Sequence, residues 1–453
     1  MTTRRNFLKQ TAVLAAGSIL LPDAFNVIPG SKPRVIIIGA GLAGLSAAYK
    51  LTKKNFDVTI LEARNRIGGR VFSYEIDKKE KLVIELGAEW VGASHTRITE
   101  MCNEFGLTLQ NNQFDSHLIY GGQYQPKGKW AYSKDWQNKF EQIIKDYASF
   151  TDEDKKKLDK MDWWRFLVNK GISDRDLDIR ELLDSTDFGE SIRHVSAFAA
   201  LAEYAESSEK NEMDYKIKGG NSMLTEKLAE KIGLEKIKTK QKVTEVDQSG
   251  SEVKIKCADG SVFACDYVIC TTPTYSLNKI SWNPVLPDDK IEALNALQYA
   301  RINKHPVLFS ERFWNDESFD MVTDVYGHYF YHATKNQKAK KGVLISYTIG
   351  DKADVIHKQN KAFKKNVIIE SLKPAFGDVS DKIVDQMTYY WGIDEYSKGA
   401  YALYGIGQWF TVMPTLKSKF KNVYFAGEHL ADWQGFMEGA INSGEEAADE
   451  IIG

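Results

Sequence analysis

The sequence predicts an α/β fold of two domains with interleaved segments: a parallel-sheet domain, and a domain of mixed sheet plus helices. Three observations predict it. Residues 34–62 have the pattern of a strand, a glycine-rich turn, a helix and a second strand. Residues 109–213 are rich in Lys, Asp and Glu, with apolar residues at helical spacing. Residues 291–393 contain short apolar segments typical of strands.

Composition bounds the class of protein. The 453 residues are 43% hydrophobic, enough for a large core and two or three domains. The formal net charge is −2, so binding to nucleic acid or to an anionic membrane surface is not expected. The four cysteines have no Cys-x-x-Cys spacing and no paired histidine, so no metal site is expected and buried thiols are predicted. A disulfide among Cys257, Cys265 and Cys270 is left open.

Residues 1–30 have the pattern of an export signal. Arg4 and Arg5 form a twin-arginine motif, and an uncharged stretch rich in Ala, Leu and Val follows at residues 10–21. Twelve helical residues reach only about 18 Å, short of a hydrocarbon core of roughly 30 Å, so no stable membrane span is expected. The pattern predicts export by the Tat route and a periplasmic protein. The alternative is a disordered basic N-terminus.

The turn after the first predicted strand has the sequence GAGLAG at residues 39–44. Gly39 permits the tight turn, Gly41 lets the backbone approach a pyrophosphate, and Gly44 lets the helix pack closely on the strand. The helix N-terminus offers N–H donors to the phosphates. Glu62 ends the second strand about twenty residues later, where a carboxylate suits a ribose diol. Together these features predict a dinucleotide site, and the alternative is a glycine-rich turn in an ordinary α/β domain.

The segment after Glu62 brings guanidinium groups and glycines to the pyrophosphate end of the predicted site. It contains Arg64, Gly69 and Arg70, and a nicotinamide-binding domain has no need of it. Residues 82–92 then read as a strand and a glycine-punctuated turn, where the backbone can pass close to a flat ring.

The rest of the chain alternates between the two predicted domains. Apolar stripes in residues 109–213 predict a helical cap. Strands of a mostly antiparallel sheet are predicted at residues 307–309, 329–331, 343–347 and 387–391, with helical spacing between residues 352 and 372.

Residues 62–70, with the C-terminal segments 423–428 and 435–444, resemble the FAD signature of the flavin amine oxidase family, and the resemblance extends over nearly the whole chain after residue 33. It implies an FAD-binding domain with a glutathione-reductase-like parallel sheet, formed by residues 31–108, 214–290 and 394–453. Residues 109–213 and 291–393 would form the substrate-binding domain, a helical cap plus a sheet.

The resemblance also assigns residues to the cofactor. It implies that Val243 contacts the adenine through its backbone and that Glu428 accepts hydrogen bonds from the ribityl chain. The final helix, beginning near Met437, would point its positive end at the flavin edge that gains negative charge on reduction. Along the flavin ring, Glu89 and Trp90 would line the start of the substrate cavity, the alternatives being a surface acid and a core aromatic residue.

Three residues are assigned to catalysis by the same resemblance. Lys304 matches the family lysine that meets flavin N5 through a water, and a lysine in an apolar strand is exceptional unless it is paired or functional. The alternative is a solvated lysine at a strand edge. Tyr401 and Phe436 match the two aromatic residues that guide an amine to the flavin with their π faces, while Trp391 would support the cavity.

Two departures from the family pattern bear on the cofactor and the substrate. Ala400 stands where some members carry the cysteine that tethers FAD, which predicts non-covalent FAD. Ala88, Glu89 and Trp90 stand where one branch of L-amino-acid oxidases has an arginine that pairs with the substrate carboxylate. An ionised Glu89 pointing inward would repel a carboxylate and attract the second ammonium of a diamine, so amines are preferred to amino acids.

The predicted function is therefore an FAD-dependent amine oxidase. A hydride passes from the amine α-carbon to flavin N5, the imine hydrolyses to aldehyde plus ammonia, and O2 reoxidises the flavin with release of H2O2. One alternative is an L-amino-acid oxidase on the same scaffold, and another is a desaturase or protoporphyrinogen-type oxidase. In a different class, the chain would be a catalytically silent flavoprotein that binds amines or a partner. A homodimer is left open.

Overall fold

The computed structural model describes residues 32–453, so the predicted export signal at residues 1–30 lies outside the described residues. Among the described residues, no helix combines the length and the apolar character that crossing a membrane requires. The strands are β1 Arg34–Ile38, β2 Asp57–Leu61, β3 Ser73–Asp77, β4 Leu82–Glu85, β5 Leu109–Asn111, β6 Asp115–Tyr120, β7 Gln123–Gln125, β8 Tyr215–Ile217, β9 Ile237–Lys238, β10 Val243–Asp247, β11 Val253–Cys257, β12 Val262–Cys265, β13 Tyr267–Cys270, β14 Ser281–Asn283, β15 Gln298–Tyr299, β16 Ile302–Phe309, β17 Phe319–Thr323, β18 Tyr329–His332, β19 Gly342–Ile349, β20 Ile383–Gln386, β21 Tyr389–Tyr390, β22 Ala402–Leu403 and β23 Val423–Phe425.

The α-helices alternate with these strands along the chain. They are α1 Leu42–Lys53, α2 Thr96–Phe105, α3 Lys134–Tyr147, α4 Asp152–Leu158, α5 Trp163–Asn169, α6 Asp174–Phe188, α7 Ala197–Glu206, α8 Ser222–Ile232, α9 Thr274–Leu277, α10 Asp288–Ala296, α11 Gly350–Lys358, α12 Lys361–Phe376, α13 Val412–Lys417 and α14 Met437–Ile452.

The described chain forms two compact units, each assembled from separate segments. The first unit contains residues 32–69, Leu224–Leu297 and Gln408–Gly453, and the second contains Arg70–Met223 and Gln298–Gly407. The boundaries between the two units differ from the predicted domain boundaries. Residues 70–108, 214–223 and 394–407 were grouped with the cofactor domain, and by their contacts they belong to the second unit. The assignment of one domain to FAD and one to substrate stays a prediction.

The first unit contains the parallel sheet that the sequence predicts. Its five strands have the order β23-β13-β1-β2-β9, and every neighbouring pair is parallel. β1 is buried from Val35 to Ile38, as expected for a parallel strand covered on both faces. Helix α1 follows β1 and packs against α14, which follows β23. A Cβ on Gly444 would lie 2.1 Å from Ala43 O, so this helix pair requires a glycine at that position.

The second unit is built around an eight-stranded mixed sheet. Seven of its strands have the order β20-β16-β19-β18-β17-β6-β7, and β21 also pairs with β16. Strands β16 to β19 pair antiparallel, as predicted for this part of the chain, whereas β6 and β17 run parallel. Residues 134–206 form helices α3 to α7, in agreement with their helical spacing. Residues 109–125 instead form β5, β6 and β7, because β6 pairs with a strand about two hundred residues later in the chain, which no local pattern encodes.

The cysteines are buried thiols, as predicted. Cys102, Cys257, Cys265 and Cys270 are all free, so the disulfide left open by the sequence does not form. Burial raises the pKa of Cys102 to about 11 and that of Cys265 to about 12. Because the thiolate is the reactive form, these two side chains are expected to be chemically inert near neutral pH.

A buried carboxyl in the eight-stranded sheet of the second unit is expected to make the free energy of unfolding fall as pH rises. Asp320 in β17 is 1% exposed and accepts hydrogen bonds from Tyr329 and Ser116, at 2.9 and 3.1 Å. Burial raises the pKa of Asp320 to about 7 from an ordinary 3.8. The folded state therefore favours the neutral form of Asp320. The contribution of this neutral form to the free energy of unfolding is fully present below pH 4 and is lost as pH rises through 7.

We expect Asp320→Asn to remove that pH dependence. The amide keeps the shape and an acceptor but cannot ionise. Relative to the parent, the variant should gain about 2–4 kcal/mol of unfolding free energy between pH 5 and pH 8. Denaturant unfolding at both pH values measures it, with Asp381→Asn at an exposed position as the control. If the free energy of unfolding changed equally with pH in the parent and in Asp320→Asn, Asp320 would be ionised in the folded protein from pH 5 to pH 8.

Candidate active site

The glycine-rich turn of the first unit has the geometry predicted for it. Gly39 has φ +106°, in the region that favours glycine, and its N–H donates to Leu61 O at 2.8 Å. A Cβ on Gly44 would lie 2.1 Å from Gly39 O, so close packing of α1 on the turn requires glycine there. A Cβ on Gly41 would meet nothing within 4 Å. Open space therefore lies beside Gly41, where the backbone is predicted to meet a pyrophosphate.

Glu62 closes the predicted ribose end of this turn. Its residue is 6% exposed, and its two carboxylate oxygens accept hydrogen bonds from Ala40 N at 2.8 Å and Arg64 N at 2.7 Å. Gln241 N donates to Glu62 O at 2.8 Å, two residues before Val243 begins β10. The structure thus brings Glu62, Arg64 and the β10 segment together. Each carboxylate oxygen retains a second lone pair that a ribose hydroxyl can use.

The segment after Glu62 returns to the turn. Gly68 N donates to Ala40 O at 2.8 Å, and a Cβ on Gly69 would lie 3.3 Å from Gly41 Cα. Gly69 thus lets this segment lie directly against the predicted phosphate loop. Arg70 belongs to the second unit, where its Nη1 donates to Ala400 O at 2.9 Å. Its predicted contact with the pyrophosphate stays a prediction.

The connection between the last strand and the last helix of the first unit carries a second buried carboxylate. Glu428 is 7% exposed and accepts a hydrogen bond from Gly435 N at 2.8 Å. Helix α14 begins at Met437, as predicted, and no side chain caps its N-terminus. Both α14 and α1 follow parallel strands of one sheet, so their N-termini lie at the carboxyl edge of that sheet, where open α/β folds bind their ligands. Glu62 ends β2 at the same edge.

In the second unit, Lys304 is buried in the middle of the sheet. It lies on β16 opposite Tyr347 of β19 and Tyr389 of β21, and only 3% of the residue is exposed. Its Nζ donates to Gly87 O at 2.8 Å and to Glu85 O at 3.1 Å. The alternative of a solvated lysine at a strand edge is therefore wrong, because strands flank β16 on both sides.

Glu89 is the acidic partner of Lys304. Its carboxylate accepts from Lys304 Nζ at 3.4 Å, Lys216 Nζ at 3.0 Å and Tyr331 OH at 3.0 Å, and its side chain is 1% exposed. Burial disfavours charge on Glu89, but the two lysines outweigh burial and hold the pKa of the carboxyl below its usual value. Both oxygens are thus engaged within the unit. The two lysines offset the charge of Glu89, which weakens the attraction predicted between an ionised Glu89 and the second ammonium of a diamine.

The four ionisable groups of this network are not equivalent. Burial lowers the pKa of Lys304, against the opposing effect of Glu89. The pKa of Lys216 is raised, because Glu89 and Glu85 outweigh the effect of burial. Burial raises the pKa of Glu85, which lies 4.0 Å from Lys216. Lys216 and Glu89 therefore form the firmly ionised pair, and Lys304 is the cation that loses its proton more readily.

Aromatic side chains surround this network. Trp90 is half-buried, with its ring 5.3 Å from that of Tyr331. Trp391 is 2% exposed, and its Nε1 donates to Leu86 O at 2.8 Å. That hydrogen bond fixes the backbone just before the turn that carries Glu89, in keeping with the supporting role predicted for Trp391.

The two predicted cage residues lie in different units. Tyr401 is held in the second unit, where its OH donates to Asp187 O at 2.9 Å and lies 3.1 Å from Tyr347 OH. Phe436 precedes α14 in the first unit, 5.9 Å from the ring of Trp433. Their pairing across a substrate stays a prediction.

Comparison with known proteins decides the family. The sequence model of flavin containing amine oxidoreductases matches residues 42–452, which is most of the chain. The chain belongs to this family. Membership confirms the resemblance noted in residues 62–70, 423–428 and 435–444, and it makes the protein a flavin-dependent oxidoreductase.

Similar proteins within the family include two kinds of oxidase. L-amino acid oxidase Lm29 of Lachesis muta is 27% identical over 468 residues, which cover 93% of this chain and 87% of the relative. Flavin-containing amine oxidase A of Canis lupus familiaris is 26% identical, with 94% of this chain and 86% of the relative covered.

Solved structures confirm the predicted fold. Putrescine oxidase bound to putrescine matches with a TM-score of 0.82 at 21% identity, and cyclohexylamine oxidase from Brevibacterium oxydans IH-35A with 0.82 at 19%. Each match covers 93% of this chain and 99% of the other.

The residues of this flavin amine oxidoreductase that sequence reasoning missed are Lys216, Tyr331 and Asp187. Lys216 and Tyr331 complete the coordination of Glu89, and Asp187 holds Tyr401 through its backbone. Burial raises the pKa of the Asp187 carboxyl to about 7. The sequence offers one weak signal for Lys216, which is a lysine between Tyr215 and Ile217. Because β8 has only three residues, it is too short to show the alternation of a strand.

Proposed function

We propose that the protein is an FAD-dependent amine oxidase that holds FAD non-covalently. The observation that carries this proposal is Lys304: a buried lysine in a family of flavin enzymes, held by two backbone carbonyls and one carboxylate at the end of an apolar strand. Burial lowers the pKa of Lys304, although Glu89 and Glu85 oppose that effect, and buried lysines with a perturbed pKa are typical of functional sites.

The residues present fit a dinucleotide with a flavin. Open space beside Gly41 and the uncapped starts of α1 and α14 suit anionic groups, and the buried carboxylates of Glu62 and Glu428 suit hydroxyls. The residues that would hold FAD are Gly39, Gly41, Gly44, Glu62, Arg64, Gly69, Arg70, Val243, Glu428 and Met437. Ala400 offers no sulfur for a covalent link, which supports non-covalent binding.

FAD held by these residues would supply the redox chemistry, accepting a hydride from the amine α-carbon and passing two electrons to O2, which leaves as H2O2. The side chains bind and orient. Tyr401 and Phe436 present π faces to the amine, and Tyr401 is fixed by Asp187 O and Tyr347 OH. Lys304 places a positive charge where O2 gains negative charge. The product imine then hydrolyses to aldehyde plus ammonia.

The substrate class has two candidates. Amine substrates are favoured by the lack of an arginine at residues 88–90. Putrescine oxidase and cyclohexylamine oxidase share the fold of this chain, so the fold is compatible with the oxidation of amines. An L-amino-acid oxidase is the second candidate, because relatives with that name align over 93% of this chain. The pairing of Glu89 with two lysines weakens the electrostatic argument against amino acids, so the choice falls to experiment.

A peroxide-release screen over primary amines, polyamines and amino acids tests the proposal. We expect turnover of at least one amine, one H2O2 for each aldehyde formed, and little or none with amino acids. Turnover of amino acids alone would assign the protein to the second candidate. A yellow protein that no compound reduces would be the catalytically silent flavoprotein.

We also propose that the protein is exported to the periplasm by the Tat route. The support is the twin-arginine motif at Arg4 and Arg5 and the short apolar stretch behind it. A protein that folds around FAD before export needs a route that carries folded chains. Replacement of both arginines by lysine should leave the protein in the cytoplasm in a fractionation assay, whereas unchanged export would exclude the route.

A further inference from the structure

The second unit contains a cavity of about 290 Å³ that the proposed oxidase chemistry does not use. Four segments line it: residues 80–83 around the start of β4, residues 110–112 at the end of β5, residues 216–220 after β8, and residues 335–338 in the connection between β18 and β19. All four belong to the same compact unit, so the cavity is a property of that unit alone.

The lining of this cavity is strongly basic. Lys81, Lys218, Lys335 and Lys338 line it, against the single carboxylate of Glu80. A fifth lysine, at position 216, also lines it but donates to Glu89 within the unit. Four lysines against one acid among the lining residues create a local positive potential, although the net charge of the whole chain is −2.

Lys335 is the buried member of the group. It is 9% exposed, and its Nζ donates to Asn111 Oδ1 at 3.2 Å and to Gln113 O, and lies 5.0 Å from the ring centre of Phe114. These three contacts are with neutral groups. Burial lowers the pKa of Lys335, although the more distant carboxylates of Glu317, Asp115, Asp316 and Asp320 act to raise it. An anion in the cavity would offset the cost of burying this ammonium.

Asn112 provides an independent indication of a ligand. The residue is 3% exposed and lines the cavity, and its backbone N–H donates to Asp214 O at 2.8 Å. Its side-chain Nδ2 is buried and has no acceptor among residues 32–453. Buried amide donors are nearly always satisfied, so this one lacks a partner that a ligand oxygen would supply.

We propose that this cavity is a binding site for a phosphate-type oxyanion, held by Lys335, Asn112 and the three lysines at its rim. Lysine is a common point-charge partner of phosphate. A phosphate monoester carries about −1.5 to −2 charges at pH 7, which suits four ammonium groups better than a singly charged carboxylate does. The site does not depend on the proposed amine oxidase function. Its ligand is free phosphate or the phosphate group of a small metabolite.

Isothermal titration calorimetry of the purified protein with inorganic phosphate tests the site, in chloride buffer of matched ionic strength. The test variant replaces three exposed rim lysines with glutamine, Lys81→Gln, Lys218→Gln and Lys338→Gln. The control variant makes the same change at three exposed lysines of the same unit that do not line the cavity, Lys129→Gln, Lys160→Gln and Lys358→Gln. We expect the rim variant to bind phosphate at least about tenfold more weakly than the parent and the control variant.

Asn112→Leu probes the buried donor separately. If the amide serves a ligand, this variant should keep the melting temperature of the free protein and lose most of the increase that phosphate produces in the parent. A second titration compares glycerol 3-phosphate with glycerol: tighter binding than inorganic phosphate points to a metabolite, and equal binding to the free ion.

Two results would overturn the proposal. One is a parent protein that responds to phosphate no more than to chloride. The other is equal phosphate binding by the parent, the rim variant and Asn112→Leu.

Discussion

Glu89→Ala is expected to lower the free energy of unfolding by about 3–5 kcal/mol, because it leaves two buried ammonium groups without their acid. Lys216 and Lys304 donate to the Glu89 carboxylate at 3.0 and 3.4 Å, and Tyr331 OH donates to it at 3.0 Å. Removing one partner of a buried pair costs more than the pair contributes, since the remaining charge stays desolvated. Chemical denaturation at pH 7 measures the loss.

Glu89→Gln and Glu75→Ala are the controls. Glutamine keeps the shape and an acceptor but not the charge. The loss of unfolding free energy in Glu89→Gln should therefore shrink as pH rises toward 10. The sign follows from the lysines. Without the acid, the folded pKa of Lys304, already lowered by burial, falls further, and that of Lys216 falls below its unfolded value. Lysines with a lowered pKa destabilise the fold at low pH and cease to do so once they are neutral. Glu75 is exposed, and its replacement should change stability little. A loss below about 1 kcal/mol for Glu89→Ala would show that solvent reaches the lysines.

Lys304→Met is expected to slow the reaction of the reduced enzyme with O2 by roughly a hundredfold or more. Lysine and methionine have similar length, so the change removes the charge and the donor while filling the same space. The fold should survive, because Glu89 keeps Lys216 and Tyr331. Stopped-flow mixing of anaerobically reduced protein with oxygenated buffer measures the rate directly, separately from reduction by the amine.

Lys340→Met, at an exposed position in the same unit, is the matched control and should react with O2 like the parent. Loss of amine-dependent bleaching in Lys304→Met would implicate the position without defining its role. Unchanged reoxidation in Lys304→Met would refute the role of its charge toward oxygen.

The features that the sequence predicts best are those encoded by neighbouring residues. The spacing of Gly39, Gly41 and Gly44 determines the turn, and the structure has the positive φ and close packing that the spacing requires. The family resemblance implied a helix beginning near Met437, and α14 begins at that residue.

The features that the sequence does not predict depend on distant pairings. β6 pairs with β17, and Lys216 meets Glu89 from more than a hundred residues away. Short strands carry too few residues to show their period, and β5 to β7 lie in the segment that was predicted to be a helical cap. The family resemblance identified Lys304 but not Lys216 and Tyr331, which lie around it. The network of Lys216, Glu89 and Tyr331 around Lys304, and the burial that lowers the pKa of Lys304, arise only when distant strands come together.

The visible absorption spectrum of the purified protein under anaerobic conditions, before and after addition of an amine, tests the central claim most directly. The account predicts a bound flavin whose absorption an amine bleaches, and whose colour returns with O2 as H2O2 is released. A colourless protein that FAD does not reconstitute, or a yellow one that no amine bleaches, would contradict it.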